Sequence, residues 1–194
     1  MSDTGPRPPA SRRALLSGAG AALTGAGALI VAGCGGAAAG RQAATTVSPA
    51  IQQQDVEILT QALSLERRTV TAYVAGMPLL SHPQTRTARQ FLEEELEHTG
   101  ELISLIRAAG GKAGPRADSF ELSHPRNSAQ VFALLQSLEA LQIRSYLGWI
   151  PKLSPGPVRA AVASILTVDS QHLSMLRLAQ GETAVPGPFV TGAE

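Results

Sequence analysis

The sequence has one cysteine and almost no net charge. The first excludes a disulfide within the chain, and the second argues against nucleic acid as a partner. Cys34 is the only thiol among 194 residues, so the chain cannot form a disulfide within itself and must take its stability from a packed core. The formal charge is +1. Residues 1–33 contribute +2 (three arginines and one aspartate), which leaves −1 for residues 34–194. A near-neutral chain lacks the basic surface that binds nucleic acid, so we expect no nucleic acid among its partners.

The N-terminal 33 residues have the pattern of an export signal. Three arginines precede Ala14–Gly33, which has no charged residue and is rich in alanine, glycine and leucine. A basic start followed by an apolar segment is typical of a signal peptide. Within it, Ser11–Leu16 (SRRALL) resembles the twin-arginine export motif. The alternatives are an uncleaved membrane anchor, for which the glycine content is unfavourable, and a cytoplasmic N-terminal tail.

The end of this segment predicts a lipid-anchored protein. Leu29–Cys34 resembles the cleavage box of bacterial lipoproteins, which would make Cys34 the first mature residue and the site of lipidation. The thiol is then no longer available to a metal, so oxygen and nitrogen remain as donors. Residues 34–51 are rich in small residues and predict a flexible tether. We expect the protein at the outer face of the cytoplasmic membrane, attached to it through the N-terminal lipid.

Apolar residues at spacings of three and four predict four long helices after the tether. They cover about residues 52–76, 84–109, 128–150 and 157–180. The domain they form, residues 52–181, leaves 182–194 as a C-terminal tail. Two connections are short and contain proline, whereas residues 110–126 make a long one. Because short connections join antiparallel neighbours, we predict an all-α, antiparallel four-helix bundle of two helical hairpins joined by a long crossover.

Six potential metal ligands recur along these helices in the order E, E-x-x-H, E, D-x-x-H. They are Glu66, Glu95, His98, Glu139, Asp169 and His172. Each lies on the apolar stripe of its helix, with leucine, valine, isoleucine or phenylalanine within a turn. The two halves of the pattern are 73 or 74 residues apart, so the chain looks like one helical hairpin used twice. An approximate twofold axis between the hairpins would place two half-sites opposite each other.

Four carboxylates on core stripes would repel one another if they were buried without compensation. Two divalent or trivalent cations would supply the missing positive charge, and two neutral imidazoles would complete the ligand set. Residues at i and i+3 share a helix face, so each carboxylate-x-x-His pair can hold one metal, with the other two glutamates as terminal or bridging ligands. Asp169 is one methylene shorter than glutamate, which leaves open either a complete dinuclear site or one strong and one weak position.

Three further polar residues on these stripes are predicted to support the ligands. Tyr73 and Tyr146 lie two turns beyond the first glutamate of each hairpin, and their side chains lean back towards it. Their hydroxyls could hydrogen-bond ligand carboxylates, as could the amide of Gln142, or the tyrosines could be core residues with any polar partner. The glutamate run of the second helix is expected to face solvent apart from Glu95. Its solvated members are Glu93, Glu94, Glu97 and Glu101.

The segment Ala62–Tyr73 (ALSLERRTVTAY), followed by Glu95–His98 (ELEH), resembles the ferritin-like superfamily. The similarity covers about residues 52–180 and is greatest to bacterial ferritin-like domain proteins, including desiccation-related ones. It implies a ferritin-like bundle with a dinuclear centre of iron, or sometimes manganese. The ligands it implies are Glu66, Glu95, His98, Glu139 and His172, with Asp169 standing where the superfamily usually has glutamate.

These observations lead to three functional hypotheses. The first is an exported, membrane-tethered protein with two iron or manganese ions, acting as a ferroxidase- or peroxidase-like oxidoreductase on Fe(II), dioxygen or peroxide. The second is a metal-binding or purely structural envelope stress protein without catalysis. The third is a bundle that has lost its metal and serves as an interaction module, which the complete set of ligands argues against.

Overall fold

The computed structural model describes residues 49–115, 120 and 122–193, which form four long helices joined by turns and loops. The helices are α1 (Pro49–Gly76), α2 (His82–Ala108), α3 (Ser128–Trp149) and α4 (Pro157–Ala179). Short 3-10 turns, Met77–Leu79 and Ile150–Lys152, follow α1 and α3. No strand occurs in these described ranges. The prediction of an all-α four-helix bundle is confirmed.

The N-terminal predictions fall outside the described residues. They concern the signal peptide at residues 1–33, the lipidation site Cys34 and most of the tether. Helix α1 begins at Pro49, three residues before the predicted start of the domain. No helix in the part of the chain that the structure describes is both long and apolar enough to cross a membrane. Export and lipid anchoring therefore stay predictions.

Local sequence signals set the starts of α2 and α3. Pro83 occupies the first turn of α2, and the backbone N–H of Ser81 donates to Gln84 Oε1 at 2.9 Å. Asn127 caps α3, because its side-chain oxygen accepts a hydrogen bond from the N–H of Gln130 at 3.0 Å. These starts fix the phase of each helix, and the phase decides which residues face the bundle centre.

The helices pack as two hairpins, α1 with α2 and α3 with α4, and α1 lies against α3 to join them. Helices α2 and α4 approach each other much less closely. Two apolar clusters fill the bundle on either side of its middle. One contains Leu59, Leu63, Leu102, Ile106, Val162 and Ile165, and the other contains Ala88, Phe91, Phe132, Leu135 and Leu176. Helix α2 ends beside the first cluster and α3 begins beside the second, so the long connection between them joins opposite ends of the bundle, as predicted.

Two arginines attach the loops to the helices. Arg67 Nη1 donates to the carbonyl oxygens of Gly114 at 3.0 Å and Pro115 at 2.9 Å, which holds the start of the crossover against α1. Arg144 Nε donates to the carbonyl oxygen of Gly192 at 3.1 Å. Gly192 has φ +75°, and a Cβ at that position would collide with the α3 backbone. The C-terminal tail is thus packed against α3.

Candidate metal centre

The six predicted ligands meet in the middle of the bundle, between the two apolar clusters. Two groups of four side chains each bring together donor atoms that lie within 4.8 Å of one another. One group contains Glu66, Glu95, His98 and Asp169, and the other contains Glu95, Glu139, Asp169 and His172. The carboxylates are fully buried, and the imidazoles are 8% and 1% exposed. Every helix contributes, so the centre exists only when all four are packed.

Glu95 and Asp169 belong to both groups, so they lie where bridging ligands would. The remaining ligands form two pairs, Glu66 with His98 (the His98 half-site) and Glu139 with His172 (the His172 half-site). The sequence left open which carboxylates bridge, and the geometry favours those of the two carboxylate-x-x-His motifs. Asp169 Oδ1 lies 3.4 Å from His98 Nδ1 on another helix, so its shorter side chain still reaches across the centre.

Five potential metal-binding atoms of this cluster lack hydrogen-bond partners among the described residues. The unpartnered buried atoms are Glu66 Oε2, His98 Nδ1, Glu139 Oε2, Asp169 Oδ1 and Asp169 Oδ2. A buried polar atom left unsatisfied costs about 1–3 kcal/mol, and a charged one costs more. Cations held by oxygen and nitrogen would satisfy these atoms and offset the carboxylate charge. The set of oxygen and nitrogen atoms therefore fits the binding of metal ions.

Burial and mutual repulsion shift the pKa values of the carboxylates. Burial is the largest cause that raises the pKa of Glu95 well above its usual range, and the charges of Glu139 and Glu66 raise it further. Burial raises the pKa of Asp169 in the same way, with Glu66 again as the leading charge. For Glu66 itself burial is again the largest cause and raises the pKa, but the contacts with His98, Glu95 and Tyr146 together outweigh it and the net pKa is lowered. Without cations, both shared carboxylates therefore bind a proton more readily than an exposed carboxylate does.

His172 experiences opposite influences on its pKa. Burial lowers the pKa of the imidazole, but hydrogen bonds with Glu139 and Glu95, supported by Glu94, raise it to about 11. Its Nδ1 lies 3.2 Å from Glu95 Oε1 and 3.4 Å from Glu139 Oε1. Without cations His172 is therefore an imidazolium that partly neutralises these carboxylates. A metal that binds at Nδ1 must displace that proton.

Each tyrosine reaches across to the glutamate of the other hairpin. Tyr73 Oη donates to Glu139 Oε1 at 2.8 Å, and Tyr146 Oη donates to Glu66 Oε1. Burial, followed by the charge of the facing glutamate, raises the pKa of both phenols well above the usual range, so they stay protonated. Between the two sequence alternatives, the geometry favours tyrosines that hold the carboxylates in place.

Further contacts around the centre come partly from residues that the sequence did not single out. Gln142 Nε2 lies 3.4 Å from Glu95 Oε2, and Thr69 Oγ1 donates to Gln142 Oε1 at 2.8 Å. The ring of Phe91 stacks on that of His172, with centroids 4.2 Å apart. Thr69 and Phe91 lie on the buried faces of their helices, which is the only signal by which the sequence could have found them.

The sequence also missed Glu94. It was predicted to be solvated, but it is only 38% exposed and its Oε2 lies 2.6 Å from His172 Nε2. Burial raises its pKa, but the hydrogen bonds to His172 and Gln90 outweigh this and leave the pKa lowered. The neighbouring glutamates are exposed as predicted: Glu93, Glu97 and Glu101. Glu94 differs because its side chain turns into the gap between α2 and α4, which the pattern of one helix cannot reveal.

Two solved structures share this fold. The crystal structure of Rv2844, a conserved hypothetical protein from Mycobacterium tuberculosis, superposes with a TM-score of 0.63 and 16% identity, over 66% of this chain and 97% of that chain. A ferritin-like, diiron-carboxylate protein from Bacillus anthracis str. Ames superposes with a TM-score of 0.56 and 15% identity, over 66% and 96% of the respective chains. At these identities the likeness shows the fold alone.

Comparison of the sequence with protein families agrees with the comparison of folds. No curated protein matches this chain. The model of the ferritin-like domain family matches residues 54–182, which include all four helices' contributions to the buried centre. This chain therefore belongs to the ferritin-like domain family.

Proposed function

We propose that this protein is an exported, lipid-anchored ferritin-like protein that binds two iron or manganese ions and is redox active. The observation that carries the proposal is the cluster of buried donor atoms without hydrogen-bond partners, which spans both half-sites. A bundle that needed no metal would gain stability by losing these carboxylates, because uncompensated buried charge is unfavourable. The B. anthracis protein of this fold is described as a diiron-carboxylate protein, which supports the same reading.

In this proposal each half-site would hold one ion, and Glu95 and Asp169, which belong to both groups of side chains, could contribute to both. Bound iron or manganese would supply electron transfer from Fe(II) to dioxygen or peroxide. The chain's own residues order the centre. Tyr73 and Tyr146 each fix one oxygen of a terminal glutamate, so the other oxygen is presented to the interior.

Burial limits what can reach the centre. No ligand residue is more than 8% exposed, and apolar clusters lie on both sides. Only small, diffusible species can enter without movement of the helices, which favours dioxygen, peroxide or a metal ion over an organic substrate. The same apolar surroundings keep bulk water out and strengthen the electrostatic interactions inside.

The proposed location rests on the sequence of the N-terminal region. Three arginines precede an uncharged segment, and Cys34 follows it directly. This order of features is typical of an exported protein that is anchored by a lipid. The protein would then sit on the outer face of the cytoplasmic membrane. A lipid at each N-terminus conflicts with assembly into a closed cage, so we do not propose iron storage in a shell.

A metal-binding or structural envelope stress protein without catalysis is the second candidate. Complete burial of the ligands favours it, because a centre that small molecules reach slowly could serve stability alone. Both candidate functions include a buried metal centre, but only the first includes catalytic turnover.

Metal content and turnover, measured on the same preparation, test the proposal. The full chain, purified without chelator, should contain close to two iron or manganese ions by elemental analysis. It should also oxidise Fe(II) or consume peroxide faster than the double variant Glu66→Ala, Glu139→Ala. The matched control is Glu97→Gln, which removes an exposed charge from α2 and should change neither. Metal without turnover would select the second candidate, and no metal after reconstitution would refute both metal-binding candidates.

A further inference from the structure

The two half-sites are related by an internal repeat, so any departure from it is informative. Equivalent ligands are 73 or 74 residues apart: Glu66 and Glu139, Glu95 and Asp169, His98 and His172. By ligand type alone the half-sites are a matched pair, each with one terminal glutamate and one histidine. A difference in metal affinity between them must therefore come from residues around the ligands.

The repeat is broken next to the shared carboxylates. Glu94 directly precedes Glu95, whereas the equivalent position before Asp169 is Val168. Glu94 Oε2 lies 2.6 Å from Nε2 of His172 in the opposite hairpin. Valine has no side-chain acceptor, so α4 offers the other histidine no equivalent carboxylate.

The contact with Glu94 decides how His172 faces the centre. A carboxylate only accepts hydrogen bonds, so the nitrogen facing it, Nε2, carries the hydrogen. A metal can therefore displace only the hydrogen on Nδ1, which points inwards at Glu95 and Glu139, 3.2 Å and 3.4 Å away. Phe91 stacks on the ring and fixes its plane. The imidazole is thus set in orientation before metal arrives, and the contact with Glu94 selects Nδ1 as the nitrogen that can bind it.

His98 is held less firmly. Its Nδ1 has no hydrogen-bond partner among the described residues, and it lies 3.4–3.8 Å from the nearest carboxylate oxygens. The residue is 8% exposed, compared with 1% for His172. On binding metal it must give up more rotational freedom than His172, which costs affinity.

We propose that Glu94 is a positioning residue that makes the half-sites unequal, so that the His172 half-site binds a divalent cation more tightly than the His98 half-site. The inference rests on the proposed function, since it presupposes a metal centre. Loss of a carboxylate that orients a metal-bound histidine typically weakens binding by about 10–100-fold. We expect the two binding steps to differ by a factor in that range.

Titration of the metal-free full chain with Co(II) measures both steps, because bound cobalt absorbs visible light according to its ligands. The wild-type protein should take up two cobalt ions in two resolved steps. His172→Ala should abolish the tighter step, and His98→Ala should abolish the weaker one. Two steps of equal affinity, or loss of the tighter step in His98→Ala, would overturn the inference.

Glu94→Gln isolates the role of the carboxylate, and Glu93→Gln is its matched control. Both remove one negative charge from α2, but Glu93 is exposed on the solvent side. We expect Glu94→Gln to weaken the tighter step by about tenfold or more, with the weaker step unchanged. Glu93→Gln should change neither step.

The remaining outcomes also discriminate. If Glu94→Gln weakens both steps equally, or matches Glu93→Gln, Glu94 does not position His172 and the inference is wrong although the metal centre stands. If the wild-type protein binds no cobalt at all, the proposed function fails and this inference fails with it.

Discussion

Asp169→Asn should stabilise the metal-free protein and remove most of its response to metal. Asp169 is fully buried, and neither of its oxygens has a hydrogen-bond partner among the described residues. Glu66 and Glu139 nearby also present unpartnered acceptor oxygens. Asparagine has nearly the same shape, so it leaves no cavity, and its amide nitrogen places two donors among these acceptors. The change removes one of four mutually repelling acids and provides new hydrogen bonds.

The expected magnitude follows from the burial of Asp169. An unsatisfied buried polar group costs about 1–3 kcal/mol, and the substitution should recover a gain of that order. For a domain of this size, that corresponds to a rise in melting temperature of about 2–12 °C. The same substitution replaces a charged, shared ligand by a weaker neutral one, so the stabilisation by iron or manganese should largely disappear.

Asp55→Asn is the matched control, because it makes the same chemical change at another buried aspartate. Asp55 is 4% exposed, but its Oδ1 accepts a hydrogen bond from the backbone N–H of Ser154 at 2.9 Å. A charged acceptor makes a stronger bond than a neutral one, so this variant should lose about 1 kcal/mol. The two substitutions should therefore shift stability in opposite directions.

Thermal unfolding followed by circular dichroism, with chelator and then with saturating metal, measures all of these effects. Wild type should have a higher melting temperature with metal than with chelator. With chelator, Asp169→Asn should melt at a higher temperature than wild type, and metal should raise its melting temperature only slightly. If Asp169→Asn is destabilised with chelator as Asp55→Asn is, the carboxylate was satisfied and our account of the centre is mistaken. A full metal response in Asp169→Asn would show that this residue is no ligand.

Three further predictions concern the hydrogen bonds, the pH dependence and the tail. Tyr146→Phe removes the hydrogen bond to Glu66 and leaves a second oxygen of that carboxylate unpartnered, so urea unfolding should report a loss of about 1–3 kcal/mol; an unchanged midpoint would contradict this. Because the pKa values of Glu95 and Asp169 are raised, the metal-free folded state binds protons more strongly than the unfolded state, and this contribution is lost as pH rises. The metal-free protein should melt higher at pH 5 than at pH 8, and saturating metal should remove the difference; a metal-free protein that is more stable at pH 8 would oppose the reasoning. Gly192→Ala puts a Cβ into the α3 backbone and should release the C-terminal tail, so limited proteolysis should clip the tail faster while the bundle melts as before. An equally resistant tail would show that the collision is absorbed elsewhere.

The sequence determined the helices and the residues that face their common centre. Apolar spacing marked four helices, and proline at the start of α2 and glycine after it marked its ends. The six acids and histidines lie on the same stripes as Leu63, Leu102 and Ile165, and the structure buries them as those stripes require. Periodicity carries this information because successive residues of a helix are rotated by a fixed angle, so a stripe in the sequence is a face in space.

Only the tertiary structure decided how the helices face one another. The sequence left open which carboxylates are shared, and the packing places Glu95 and Asp169 within reach of both half-sites. Glu94 was predicted to lie on the surface, but the packing of α2 against α4 places it in contact with His172. The C-terminal tail packs against α3, where Arg144 binds it through a hydrogen bond. The pattern within one helix fixes rotation about that helix's own axis. Contacts between helices depend also on their separation and relative height, which are set by how all the side chains of the bundle pack together.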